Sequence, residues 1–133
     1  MSDDYTEKNG IVYKNHYYVL FCTKFMRKVL MDGVDDRLKE LLHDVADRKE
    51  IKIVELYIMP DHVRMVISMA PDVSPHKSIR ELKNYSAGVL REEFPWLKSK
   101  LPSLWSRRYL CFTVGEVDED VVASYMNDQK WPN

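Results

Sequence analysis

The sequence contains few cysteines and few of the residues that break regular backbone structure. Its 133 residues include four glycines, six prolines and two cysteines, whereas 31% of the residues are charged and 45% are hydrophobic. Such a composition excludes a mainly disordered or fibrous chain. Cys22 and Cys111 each lie in an apolar run, which excludes a disulfide framework and a CxxC metal pair. We therefore expect a single domain, residues 1–133, in a reducing compartment.

Long apolar runs are also missing. No stretch approaches the roughly 18 residues of a membrane span. The opening residues, MSDDYTEKNG, are too acidic and polar for a signal peptide. We therefore expect a cytoplasmic protein without a membrane partner.

The net charge of −1 conceals a segregation of charge along the chain. Residues 14–30 carry four basic residues and no acid, and residues 76–110 carry eight basic residues and three acids, whereas acids concentrate in 31–50 and 116–128. Segregated charge can build a basic face that attracts polyanions, although ordinary surface variation gives the same pattern.

Apolar spacing and turn residues predict seven elements in the order β-α-β-β-α-β-α. Strands are expected at 16–24, 51–59, 62–69 and 109–115, and helices at 34–49, from Ser74-Pro75 to Phe94-Pro95, and at 118–129. The turn Pro60-Asp61 is so short that the second and third strands must form a hairpin. The first six elements match an α+β, ferredoxin-like (split βαβ) fold, with an antiparallel sheet and helices on one face, and the last helix is extra.

The hairpin holds the first candidate site. His62 and Arg64 are two positions apart on a strand, so their side chains share a face. A tight turn after Met59 places Tyr57 opposite Arg64 and Glu55 one step further along the same face. An imidazole and a carboxylate that converge in this way can bind Mg²⁺ or Mn²⁺. The alternative is structural, with Glu55 in an ion pair with Arg64 and with His62 capping the turn.

The last helix holds the second candidate site. Tyr125 and Gln129 are four positions apart, so they stack on one helix face. A tyrosine can act as a covalent nucleophile, and a glutamine can give a neutral oxygen to a metal ion. The alternative is a core tyrosine whose hydroxyl has a hydrogen-bond partner.

Four segments resemble one family. MPDHVRMVIS resembles the MPDHVHLLVS hairpin of the HUH-type single-tyrosine transposases of the IS-two-hundred insertion-sequence family. HYYVLFCTKFMRKVL resembles the family's first strand and its basic continuation, IRELKNYSAGVLREEFPWL its long basic helix, and LWSRRYLCFTVGEVDEDVVASYMNDQ its closing strand and tyrosine helix. The four matches occur in the family's order and span about residues 13–129.

The resemblance implies a DNA transposase that forms homodimers and cuts single-stranded DNA near hairpins at the element ends. A helix tyrosine attacks the scissile phosphate and leaves a 5′-phosphotyrosine link and a free 3′-hydroxyl. By this resemblance His62 is the first HUH histidine, Tyr125 the nucleophile and Gln129 a metal ligand. The tyrosine helix often packs across the dimer in this family, so a shared active site is expected. Because the link stores the bond energy, rejoining needs no ATP, and the sequence has no GxxxxGK[ST] loop.

Arg64 departs from the family, which usually has its second metal-binding histidine there. A guanidinium stays protonated and has no acceptor, so it cannot ligate. Glu55 is the candidate replacement, because a carboxylate suits a hard cation. Asp61 is a weaker candidate, better suited to the turn or to holding a ligand, and His16 could orient a ligand or a water. Alternatively, Arg64 clamps the phosphate itself.

Basic residues are the candidates for contacts with the DNA backbone. They are Lys24, Arg27, Lys28, Arg80, Lys83, Arg91, Arg107 and Arg108. Trp105 could stack on unpaired bases, or it could fill the core. Two alternatives to the active transposase stay open: a non-catalytic nucleic-acid-binding relative, and a metal-dependent nuclease that leaves Tyr125 idle.

Overall fold

The structure is a computed structural model that describes residues 6–8, 10–13, 15–114 and 119–130. Its strands are β1 (Thr6–Lys8), β2 (Ile11–Tyr13), β3 (His16–Thr23), β4 (Lys52–Met59), β5 (His62–Ser68) and β6 (Trp105–Thr113). Its α-helices are α1 (Val34–Arg48), α2 (Pro75–Glu93), α3 (Trp96–Lys100) and α4 (Glu119–Asp128), and a short 3-10 helix spans Lys24–Met26. Among these residues, no helix is long and apolar enough to cross a membrane.

Four strands form one antiparallel sheet in the order β4-β5-β3-β6, and β1 and β2 form a separate hairpin. The α+β class is thus confirmed. In the β4–β5 hairpin, Tyr57 faces Arg64 and Met59 faces His62, which is the register that the sequence predicts. A two-residue turn at Pro60-Asp61 leaves the strands no other pairing.

The central strand β3 faces two different cores. Val19 and Phe21 pack with α1 and α2, whereas Leu20 and Cys22 pack with α4. Successive residues of a strand point to opposite faces of the sheet, so α1 and α2 cover one face and α4 lies on the other. The part of the chain that carries Tyr125 therefore packs away from the main core.

Strand β6 begins four residues earlier than the sequence predicts, at Trp105. The Trp105 ring packs edge-on against Phe21, with 4.7 Å between the ring centroids, and its indole N–H donates to the carbonyl of Lys83 at 3.1 Å. This contact draws the predicted loop into the sheet. The register between β3 and β6 shifts between Phe21 and Thr23, and this irregularity sets Ser106 to Arg108 of β6 beside Cys22.

The sequence did not predict helix α3, the β1–β2 hairpin or the short 3-10 helix. The residues 96–100, assigned to a loop, form α3, in which Pro95 precedes the first helical residue, a place that suits its fixed φ. The β1–β2 hairpin turns at Gly10, whose φ is +79°. The dipeptide Asn9-Gly10 is a hairpin signal that identifies this turn from sequence alone. The predicted ends at Gly115 and Asp118 lie outside the described residues.

Candidate active site

One face of the sheet is half covered. Helix α4 covers the β3 and β6 side of this face, and a cleft of about 470 Å³ opens over the β4 and β5 side. The side chains that line the cleft include Tyr18, Glu55, Tyr57, Met59, His62, Arg64 and Val66. The residues predicted from the hairpin thus share one cleft.

His62 lies at one end of this cleft and is 8% exposed. Its Nδ1 is 2.7 Å from Oδ1 of Asp61. A carboxylate can only accept a hydrogen bond, so Nδ1–H donates, and in a neutral imidazole the lone pair is then on Nε2. Asp61 therefore orients the ring, a role of the kind the sequence predicts for it. In the neighbouring strand, Cys22 faces His62 directly.

Glu55 and His62 do not meet in the cleft. Glu55 faces Val66, whereas Met59 faces His62. The four strand positions between Glu55 and Met59 correspond to about 13 Å. Both Glu55 and Arg64 are exposed, and among the described residues no ion pair joins Arg64 to a carboxylate. The alternative of a Glu55–Arg64 ion pair is therefore absent from this fold.

His16 lies far from His62. It begins β3, six positions from Cys22, or about 20 Å along the strand. It therefore does not reach a ligand at His62. Strand β3 places His16 opposite Ser68, at the other end of the sheet.

Tyr125 lies beside this end of the cleft and is 3% exposed. Its hydroxyl donates to the carbonyl of Arg108 at 2.8 Å, and its side chain packs in one buried cluster with Cys22. Burial raises the pKa of Tyr125 well above its ordinary value, and burial likewise raises the pKa of Cys22 to about 11. The phenol is therefore held in its protonated form, beside the β3 residue that faces His62.

Gln129 is also buried, at 1% exposure. Its side-chain oxygen accepts from the Ser106 hydroxyl, and its amide nitrogen donates to the Tyr125 carbonyl at 3.2 Å. Both ends of the amide are therefore engaged within the chain. No group of three histidine, cysteine or acidic residues among those described could hold a metal ion. The residues predicted to bind Mg²⁺ or Mn²⁺ do not form a complete site in this fold.

A groove of about 570 Å³ lies on the opposite face, between α2 and β6. Its lining includes His76, Arg80, Lys83, Asn84, Arg107 and Tyr109. Arg80 and Arg107 are exposed, as the sequence predicts for contacts with DNA. The mouth of this groove therefore carries positive charge.

Lys83 is buried and does not face solvent as the sequence predicts, and Trp105 fills the core, which is one of its two predicted roles. Lys83 is 8% exposed, and its ammonium donates to the carbonyls of Ser106 and Arg107 at 2.8 and 3.4 Å. Trp105 is 6% exposed. Helical spacing gives the direction in which a side chain points but not the strand that packs over it. The burial of Lys83 could therefore not be predicted from its position on the helix.

Of the other basic residues predicted to contact DNA, some are exposed and others are bonded within the chain. Arg91 donates to the carbonyl of Leu101 at 3.0 Å, which ties α2 to the end of α3. Arg108 is exposed, while Lys24 is half-buried. Arg27 and Lys28 line a shallow pocket of about 320 Å³ together with Lys100, a basic residue that the sequence reasoning did not select.

Replacing Lys83 by methionine is expected to flatten the dependence of stability on pH between pH 8 and pH 9. Burial lowers the pKa of Lys83 from 10.5 to about 8, so above pH 8 the folded chain releases a proton that the unfolded chain keeps. The free energy of unfolding of the parent therefore rises with pH, by at most about 1.4 kcal/mol per unit. The Cys22 thiol has the opposite effect only above its ordinary pKa of 9.0.

Guanidinium unfolding of the parent and Lys83→Met across this window tests the expectation. The difference in unfolding free energy between the two proteins should change with pH. Parallel pH profiles would contradict the assigned burial of the ammonium group.

Residues 11–129 match the family model described as "Transposase IS200 like". The ISDra2 transposase TnpA of Deinococcus radiodurans is 32% identical over 122 residues, which cover 90% of this chain and 87% of that protein. The transposase for insertion sequence element IS200 of Salmonella typhimurium is 28% identical over 102 residues, which cover 75% of this chain and 67% of that protein.

Two solved structures are also similar. A Deinococcus radiodurans R1 protein assigned as a transposase has a TM-score of 0.83 and 32% identity, with 93% of this chain and 97% of that chain covered. A REP-associated tyrosine transposase bound to a REP hairpin has a TM-score of 0.59 and 15% identity. The match covers 98% of this chain and 74% of that chain. At that identity the second likeness concerns the fold alone.

Proposed function

Because the chain belongs to the IS200-like transposase family, we propose that it cleaves and rejoins single-stranded DNA at insertion-sequence ends through a covalent link to Tyr125. One observation carries this proposal. Tyr125 packs in one buried cluster with Cys22, which is the residue that faces His62 across the β3–β5 pair. The family's nucleophile and its first histidine are therefore close to each other on one face of the sheet.

The proposed step exchanges one phosphodiester for another. The Tyr125 oxygen attacks phosphorus and loses its proton, the bond from phosphorus to the 3′ oxygen breaks, and that oxygen leaves as a protonated 3′-hydroxyl. The 5′ phosphate stays on the tyrosine. Because the number of phosphodiester bonds is unchanged, attack by a 3′-hydroxyl can reverse the step without nucleotide hydrolysis.

The fold as described holds Tyr125 back from this reaction. Its proton is donated to Arg108, and burial opposes its ionisation. Attack therefore requires α4 to move from its place over β3, so that the hydroxyl leaves Arg108 and reaches a phosphate at His62. Within α4 only Val122 and Tyr125 are buried, and Gln129 directly after it is buried as well, so this movement would release these three side chains.

The strand order β4-β5-β3-β6, with α1 and α2 on one face, supports the ferredoxin-like, split βαβ assignment. In this assignment α4 is the added helix that carries the nucleophile. We further propose a homodimer with a shared active site, in which the displaced α4 serves the partner's His62.

Mg²⁺ or Mn²⁺ is the proposed cofactor. When bound, such an ion polarises a phosphate oxygen. His62 is its proposed ligand, because Asp61 engages Nδ1 and a neutral imidazole held in this way would offer Nε2 to the ion. Glu55 and Gln129 remain the candidates for further ligands, and both must change position to reach His62.

The experiment that tests the function is a denaturing gel. The protein is incubated with labelled single-stranded DNA from the flanks of its element, with Mg²⁺, with Mn²⁺ or with chelator. A metal-dependent band that resists denaturation supports the transposase. Binding without an adduct would favour the non-catalytic relative, and cutting without an adduct would favour the nuclease.

The groove between α2 and β6 is the proposed contact for the stem of a DNA hairpin. Replacing Arg80 and Arg107 together by glutamine is expected to weaken hairpin binding and to lower the slope of log affinity against log salt by about 2, one unit for each lost phosphate contact. Fluorescence anisotropy at several salt concentrations measures this slope. The double variant Lys39→Gln, Arg48→Gln removes the same charge from α1 and serves as control, and equal slopes in both variants would exclude the groove.

A further inference from the structure

We propose that Arg64 and Tyr57 form a subsite for the nucleotide next to the scissile phosphate. The Arg64 guanidinium binds the neighbouring phosphate, and the exposed Tyr57 ring stacks on the base. The inference rests on the proposed function, because it takes the scissile phosphate to lie at His62. It gives a role to the residue at which this chain departs from its family.

The first support is the placement of an aromatic ring beside a guanidinium. Tyr57 faces Arg64 across the β4–β5 pair, so their Cβ atoms are roughly 5 Å apart. Tyr57 lies on the open half of the sheet face. It is 58% exposed, which is a large fraction for an aromatic residue. Exposed aromatic rings beside positive charge are the usual platform for unpaired bases.

The second support is charge. Arg64 is exposed, and among the described residues it has no ion pair with a carboxylate. Arg64 and Tyr18 line the same cleft, and burial raises the pKa of the Tyr18 phenol while the charge of Arg64 lowers it and the carboxylate of Glu119, at the start of α4, raises it. With Glu119 on one side and Glu55 at the far end, the path that suits an anion runs from His62 to Arg64.

The third support is spacing. His62 and Arg64 are two positions apart on one face of β5, or about 7 Å. Neighbouring phosphates of an extended single strand have a similar separation. A phosphate at His62 therefore sets the next one at Arg64, where five N–H donors and no acceptor select an anion over a metal ion.

The test uses modified strands. Each strand carries, on one side of the cleavage site and then on the other, either an abasic nucleotide, which lacks the stacking base, or a methylphosphonate, which lacks the phosphate charge. Affinity is measured with chelator present, so that no cleavage occurs. For the parent, each modification should weaken binding by about tenfold when it lies on the side of the cleavage site that the subsite binds, and not when it lies on the other side.

Two variants separate the base from the phosphate. Tyr57→Leu should bind normal and abasic strands equally, yet still respond to the methylphosphonate. Arg64→Gln should show the reverse. Arg48 and Tyr85 form a matched pair on α1 and α2, with the guanidinium 4.6 Å from the ring centroid, so Arg48→Gln and Tyr85→Leu are controls that should keep both responses.

The same cleft could instead receive a second copy of this chain, because Tyr57 and Met59 are exposed there. Sedimentation of Tyr57→Leu and Arg64→Gln decides this, since a change in oligomeric state without loss of the strand responses would overturn the subsite. A parent protein that forms the adduct, yet binds abasic and methylphosphonate strands as tightly as normal DNA, also overturns it and leaves the proposed function intact. Strand responses without an adduct would support the subsite and reject strand transfer.

Discussion

Tyr125→Phe is expected to abolish the covalent protein–DNA adduct, with a loss of at least about 10³-fold, because the attacking oxygen is removed. The fold should survive. The substitution keeps the ring that packs on Cys22 and removes the hydrogen bond to Arg108, which costs about 1 kcal/mol. Affinity for single-stranded DNA should therefore stay close to that of the parent.

A denaturing gel measures the adduct, and anisotropy measures binding on the same preparations. Tyr85→Phe is the matched control, because Tyr85 is half-buried on α2 and lies outside the cleft. An adduct that persists in Tyr125→Phe and disappears in another tyrosine variant would show that the nucleophile has been misassigned.

His62→Ala is expected to slow adduct formation by about 10²- to 10⁴-fold. The variant removes the nitrogen that Asp61 holds in position for the reacting phosphate or for the ion bound to it. Asp61→Asn should cause a smaller loss, about 10- to 100-fold, because the ring stays and only its orientation suffers. The ranking of the two variants is the informative result.

Rates of adduct formation under single-turnover conditions measure both losses, and circular dichroism confirms that each variant is folded. Rates equal to that of the parent in His62→Ala would remove the histidine from the site. A larger loss in Asp61→Asn than in His62→Ala would mean that the carboxylate acts on the DNA directly.

The hairpin that forms the cleft could be predicted from sequence, and the reason is local. Pro60-Asp61 allows one short turn, and the turn fixes which residues face one another, so Tyr57 was correctly placed opposite Arg64. Apolar spacing also places Ile79, Leu82 and Leu90 on one side of α2, and all three are buried. These features depend on contacts between residues that are near in the chain.

The remaining features depend on contacts between distant segments. The spacing of Tyr125 and Gln129 does not indicate which face of the sheet α4 covers. It also does not indicate that the Ser106 hydroxyl, at the irregular end of β6, donates to Gln129. Glu55 lies on the predicted face of the sheet. It cannot bind the same metal ion as His62, however, because the strand separates the two side chains by about 13 Å. Lys83 became buried because Ser106 and Arg107 pack over it.

The positions of the groove and the cleft on opposite faces of the sheet set a length requirement for the nucleic acid. A hairpin stem seated on Arg80 and Arg107 has to send its unpaired flank around an edge or an end of the four-stranded sheet before it reaches His62. From β6 to β5 is two strand spacings, or about 10 Å, and the thickness of the sheet with its side chains adds about as much again. If the stem binds in this groove as proposed, a cut at its foot cannot be made by His62 of the same protomer, and several nucleotides must separate the stem from the break.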